Sequence, residues 1–128
     1  MATPGALSFL MFLASQATFP LPGDLANAPH VDIDLAGVVG VHTYTSGERT
    51  QKDTALILHA PIELNVGSGE PPLRNVVVVQ LLAWSDAAIH QFSLHYGQPV
   101  HVRCRMTIST MWGYRHASCS PIAMRVGT

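Results

Sequence analysis

Charge is scarce in this sequence. Of 128 residues, seven are Lys or Arg and eight are Asp or Glu, so only 12% of the chain is charged, against roughly 25% in ordinary soluble domains. A cationic surplus is missing too. The net charge is −1 and the pI near 6.6, without the basic footprint that a phosphate backbone demands. No apolar stretch reaches the about 20 residues of a membrane-spanning helix. Absent as well are the His-Glu-x-x-His, Cys-x-x-Cys and His-x-His spacings of metal sites, the Gly-x-Ser-x-Gly elbow of serine hydrolases and glycine-rich phosphate loops. These absences argue against an enzyme, and they leave no cofactor and no nucleic-acid partner to expect.

What the chain does have is apolar surface to bury. Hydrophobic residues make up 48% and the mean hydropathy is +0.24, which excludes intrinsic disorder and at this length implies one domain. Part of that excess is the uncharged run Ala6–Ala14, the length of a signal-peptide h-region, although no Lys or Arg precedes it. Ser15-Gln16-Ala17 offers small residues at a cleavage site, with Ala26-Asn27-Ala28 as a second candidate. Thr18 to Pro29 carries Pro20, Pro22, Gly23 and Pro29 and reads as linker rather than core. The expectation is therefore a leader and linker over residues 1–28, one domain over 29–128, and a periplasmic or secreted location. In that compartment Cys104 and Cys119, the only cysteines, are free to pair; the alternative is two buried thiols.

The domain reads as mainly β. Val31-Asp32-Ile33-Asp34-Leu35 alternates apolar with acidic residues and continues through Gly37 and Gly40 to Val41 as a strand. Polar residues from Thr43 to Asp53 predict a loop. Ala55–Leu58 and Ile62–Val66 are apolar and broken by Pro61, and Asn65–Pro72 is a loop. The β-branched run Val76–Leu82 suits a strand buried on both faces. Trp84, Ala88, Ile89 and Phe92 share one side of a helix capped by Ser85 and stopped near Gly97. Val100 to Ile108 alternates cleanly. A turn from Met111 to Arg115 leads to a last strand, Ala117 to Val126, with Pro121 at a bulge or a late start. Three strands, a helix and two strands give the chain order of an OB-fold, a small five-stranded barrel with one helix between strands 3 and 4.

Three short blocks, Ala55–Ile62 (ALILHAPI), Val79-Gln80-Leu81 and the stretch from Gly97 (GQPVHV), resemble a family of small exported bacterial proteins, the domain of unknown function 4431 family. The resemblance spans Leu35 to Val126. It implies export and a small β-rich domain, and it implies no reaction. Where relatives show a glycine this chain has Cys104, and in place of consecutive histidines in the hairpin turn it has Tyr114-Arg115-His116.

Candidate sites gather in two segments. Trp112, Tyr114, Arg115 and His116 crowd the turn between the last strands, and large aromatics with Arg are the residue types of binding hot spots. In an OB-fold this turn and the first loop form the usual binding rim, and here the first loop carries His42, Tyr44, Arg49 and Lys52. The alternative is that Trp112 and Tyr114 fold back as a plug. Seven histidines invite a metal reading, but His90 and His95 lie about 140° apart on a helix, leaving His101 and His116 as candidates if they meet across the last hairpin. Asp32 and Asp34 share a strand face, which is the pattern of a solvated edge more than of an acid–base pair. Gly67-Ser68-Gly69 is a loop tip without a base beside it. The function expected from these residues is an exported, non-catalytic module binding a protein or peptide partner in the cell envelope. Histidine-based metal binding and single-strand nucleic-acid binding are the alternatives.

Overall fold

The computed structural model describes residues 16–127, so the apolar run Ala6–Ala14 lies outside the described residues. In chain order these form β1 (Ala17–Thr18), a 3-10 turn at Gly23–Asn27, β2 (Val31–Ser46), β3 (Arg49–Leu64), β4 (Leu73–Leu81), α1 (Asp86–Leu94), β5 (Pro99–Ser109) and β6 (His116–Val126). Strand β2 pairs antiparallel with β3 and with β5, β3 with β4, and β5 with β6. A short parallel contact of Gln80 and Leu81 with Ser118 and Cys119 returns β6 to β4. Five strands thus close into a ring in OB-fold order, with α1 between the third and fourth of them.

Alternation decides what faces inward. Leu35 and Val39 on β2, Leu56 on β3, Val79 on β4, Val102 and Met106 on β5 and Met124 on β6 fill the centre, closed at one end by Ala88 and Phe92 of α1. Gly37 lies where β2 pairs with β3 and β5 at once, opposite Leu58 and Val100. A methyl group there would stand 2.4 Å from the Ile57 carbonyl oxygen, so only glycine lets these backbones approach. On the wet face each of the two acids of β2 is paired with an arginine of β5. Asp32 takes a two-pronged bond from Arg105 at 2.9 and 3.0 Å, and Asp34 takes one from Arg103 at 3.2 Å. The Arg105 guanidinium holds the Asp32 carboxyl below the usual carboxylate range.

The structure corrects four expectations. Thr43–Asp53 is not a loop: β2 and β3 run on to a two-residue turn joining Ser46 to Arg49, with Gly47 at φ 64°, the glycine position of a II′ hairpin. Pro61 does not divide β3, and the irregularity appears instead as a shift in the β3–β4 register between Ile57 and Ile62. Strand β4 is not buried on both faces, because Val77 is 45% exposed; Trp84 and Ile89 likewise stay at the surface. The fourth concerns the segment read as leader and linker. Ala17 and Thr18 pair with Met124 and Ala123, the Phe19 N–H donates to the Ile122 carbonyl at 2.9 Å, and the Phe19 ring packs 6.3 Å from Phe92 inside the core.

Other expectations hold. Ser85 caps α1 by accepting from the Ala88 N–H. Arg103 pairs with Ala123 but Cys104 with Pro121, which leaves Ile122 as the extra residue of a bulge beside that proline. Cys104 and Cys119 form a disulfide across β5 and β6, 15 residues apart in sequence. A loop of that length is worth about 3 kcal/mol in the chain-entropy model. Replacing both cysteines with alanine is expected to lower the unfolding free energy by about that amount, read as a shift in urea midpoint. A midpoint indifferent to the replacement would mean that the hairpin holds itself without the bond. Among the described residues, no helix is long and apolar enough to cross a membrane.

Candidate functional site

The side chains of β3, β4 and β6 that point away from the core carry a polar chain of contacts. Asp53 accepts from the Trp112 indole N–H at 2.7 Å and from the Gln80 amide at 3.3 Å. The Gln80 amide oxygen accepts from Ser118 at 3.1 Å and lies 2.8 Å from His116 Nε2. His116 in turn donates from Nδ1 to the Tyr114 carbonyl at 3.0 Å. Gln80, His116 and Ser118 are buried, so each needs these partners to offset lost hydration.

Trp112 roofs this face. Its ring stacks 4.0 Å from His42 on one side and 4.0 Å from His116 on the other, and it is only 4% exposed. Tyr44 packs 6.2 Å away and is itself fixed by a hydrogen bond to Gln51. The Tyr114 hydroxyl bonds His42 Nε2 at 3.0 Å, yet its ring remains 50% exposed. Arg115 turns outward from this cluster. It donates to the Pro71 carbonyl at 2.8 Å and pairs with Glu70 at 3.4 Å.

The expected rim residues therefore divide. His42, Tyr44, Trp112, Tyr114 and His116 come together, but mostly as a plug: Trp112 has both faces covered. Arg49 and Lys52 stand exposed near the hairpin tip, apart from that cluster. His101 and His116 do not meet, since His101 faces Arg125 at one end of the β5–β6 ladder and His116 faces Ser109 at the other. Among the described residues no group of three or more metal-ligating side chains converges.

Two central residues escaped the sequence reading. Asp53 sat inside the segment taken for a loop, and Gln80 inside an apolar run. A lone Gln within a β-branched strand is itself a signal, because a buried amide demands partners.

Burial pushes the His116 imidazole below its ordinary value and nearby His42 pushes the same way, against the Tyr114 carbonyl and the Asp53 carboxylate. A folded value below the unfolded one of about 6.5 means that the unfolded chain binds the extra proton first. The stabilisation is thus fully present above that pH and is lost as pH falls through it toward the folded value. Its slope is at most about 1.4 kcal/mol per pH unit. Thermal melts between about pH 7 and pH 5 are expected to fall less steeply for His116→Gln than for the unaltered chain. Parallel slopes would remove His116 as the cause.

Beside the roofed face is an opening. Among the described residues β4 pairs with β6 only at Gln80 and Leu81, and its earlier residues stand apart from the turn across an open space. The gap is a groove of about 240 Å3, lined on one side by Leu73 to Val78 and on the other by Trp112 and by Tyr114 to Ala117. Six consecutive strand residues line it. Side chains of a strand alternate between faces, so an unbroken run means that the β4 backbone edge itself forms the wall.

No family model matches this chain, and no curated protein or solved structure does either.

Proposed function

We propose that this chain is an exported, non-catalytic module that binds a peptide segment of a partner protein in the groove between β4 and the Tyr114–Ala117 stretch. The observation that carries the reading is that groove: a strand edge unpaired among the described residues, beside a half-exposed tyrosine on a turn packed on its own buried tryptophan. Binding surfaces gain from such preorganisation, because less side-chain freedom is lost when the partner arrives. The Cys104–Cys119 bond supports an oxidising location, since disulfides persist outside the cytosol, and the Ala6–Ala14 run is the segment that would direct export.

The test is a random peptide display library panned on the immobilised protein. Selected peptides are expected to lose about tenfold or more in affinity on Tyr114→Ala or Val77→Gln, the fold-change of one good contact, with both variants still folded by far-UV circular dichroism. A library that yields no binder, or binders indifferent to both substitutions, overturns the proposal.

A further inference from the structure

Resting on that reading, the inference concerns what kind of peptide the groove accepts. We propose that the groove takes an acidic segment in extended conformation, added as a strand along the β4 edge from Leu73 to Val78, with its carboxylates between Arg74 and Arg115.

The edge argument comes first. On its β3 side, β4 is paired at Leu73, Val76 and Val78. On its other side, pairing among the described residues begins only at Gln80. A strand bonded along one side presents N–H and C=O groups on the other, and an extended chain satisfies them by strand addition. Val77, 45% exposed, adds apolar surface on the strand that lines this wall. Asn75, at φ 54°, bends the strand near its start, so the regular stretch offered to a partner is short. A short edge blunted by a bend resists pairing with copies of itself while leaving room for a few residues of a peptide.

Charge supplies the class of partner. The lining holds Arg74 and Arg115, with His42 and His116 behind them, and contains no carboxylate. Both arginines have acidic companions outside the groove: Arg74 pairs with Glu63 at 3.5 Å and Arg115 with Glu70 at 3.4 Å. The Glu63 and Glu70 side chains are 58% and 62% exposed, and exposed pairs of this kind are worth little, so an incoming carboxylate can replace them.

A single-stranded nucleic acid is also anionic, but the site suits it poorly. Stacking of bases needs open aromatic faces, and both faces of Trp112 are occupied by His42 and His116. A backbone edge recognises amides, which an oligonucleotide backbone lacks.

The experiment uses fluorescent peptides of about six residues, a common strand length, that alternate valine with glutamate, glutamine or lysine. The glutamate peptide is expected to bind about tenfold more tightly than the glutamine one, the scale of a charge-assisted hydrogen bond, with the lysine peptide weakest. N-methylation at alternate residues of the glutamate peptide is expected to abolish binding, because it removes the ladder donors. Arg74→Glu, at an exposed position that leaves the fold intact, is expected to reverse the charge preference. Peptides that bind regardless of charge, or that tolerate N-methylation, overturn this inference and leave the peptide-binding reading standing. Binding of an oligothymidylate with steep salt dependence, and of no peptide, overturns both. Failure of every probe on the folded protein also overturns the acidic-strand inference, while the display library above judges the broader reading on its own.

Discussion

Trp112→Ala is expected to lower the unfolding free energy by about 3–5 kcal/mol, the usual cost of truncating a buried large aromatic. The loss has separable parts. The ring fills the space between His42 and His116, stacked on each at 4.0 Å, and its indole N–H donates to Asp53 at 2.7 Å, closer than the Gln80 amide at 3.3 Å. Without it, the hairpin and the last turn are left with the Tyr114–His42 bond between them, and the Asp53 carboxylate loses its shorter bond and keeps the longer one from Gln80. Trp112→Phe separates the effects: stacking largely survives, so the expected loss is about 1–3 kcal/mol, that of one buried charge-assisted hydrogen bond. Urea unfolding followed by far-UV circular dichroism reads both. A Trp112→Ala chain within about 1 kcal/mol of the original would mean that the turn merely lies on the sheet and does not lock it. Peptide binding would then rest on a mobile wall.

Phe19→Ala is expected to cost a similar amount, about 3–5 kcal/mol. Phe19 is buried, and its ring lies against Phe92 on the helix that closes the core. The strand that delivers it is two residues long and pairs only with β6, so the side chain contributes more to holding β1 than the backbone does. The same physics separates the two candidate processing sites. A chain beginning at Thr18 keeps this ring, whereas one beginning at Pro29 lacks it and exposes Phe92. Melting of these two chains side by side is expected to show the longer one more stable by several degrees, since 1 kcal/mol shifts the midpoint of a domain this size by roughly 4 °C or more. Equal midpoints would show that Phe19 covers the core without supporting it.

Legibility in the sequence followed the local pattern. Val100 to Ile108 alternates apolar with polar residues, and β5 follows that alternation because one of its faces is core. Ser85 before an apolar helical stripe marked the start of α1. The long hairpin was hidden because Thr43–Asp53 has few apolar residues: its outer part stands clear of the core, and His42 and Tyr44 rest on Trp112 instead. Phe19 was hidden by its neighbours, since prolines around a single aromatic look like linker whether or not the ring finds a pocket.

The scarcity of charge is accounted for in the same way. Ser118, Gln80 and His116 fill positions away from the core where an ordinary sheet would carry charged side chains, and they are buried beneath the turn. What the sequence alone determined was the kind and order of the elements that line the core, and hence the ring topology, because strand alternation and helix capping are set by residues a few positions apart. Whether the two cysteine sulfurs meet, whether Trp112 plugs or projects, where His101 stands relative to His116, and that β4 parts from β6 to leave an edge bare are matters of register between segments distant in sequence. Such register minimises the free energy of the whole sheet at once, and only the tertiary structure decides it.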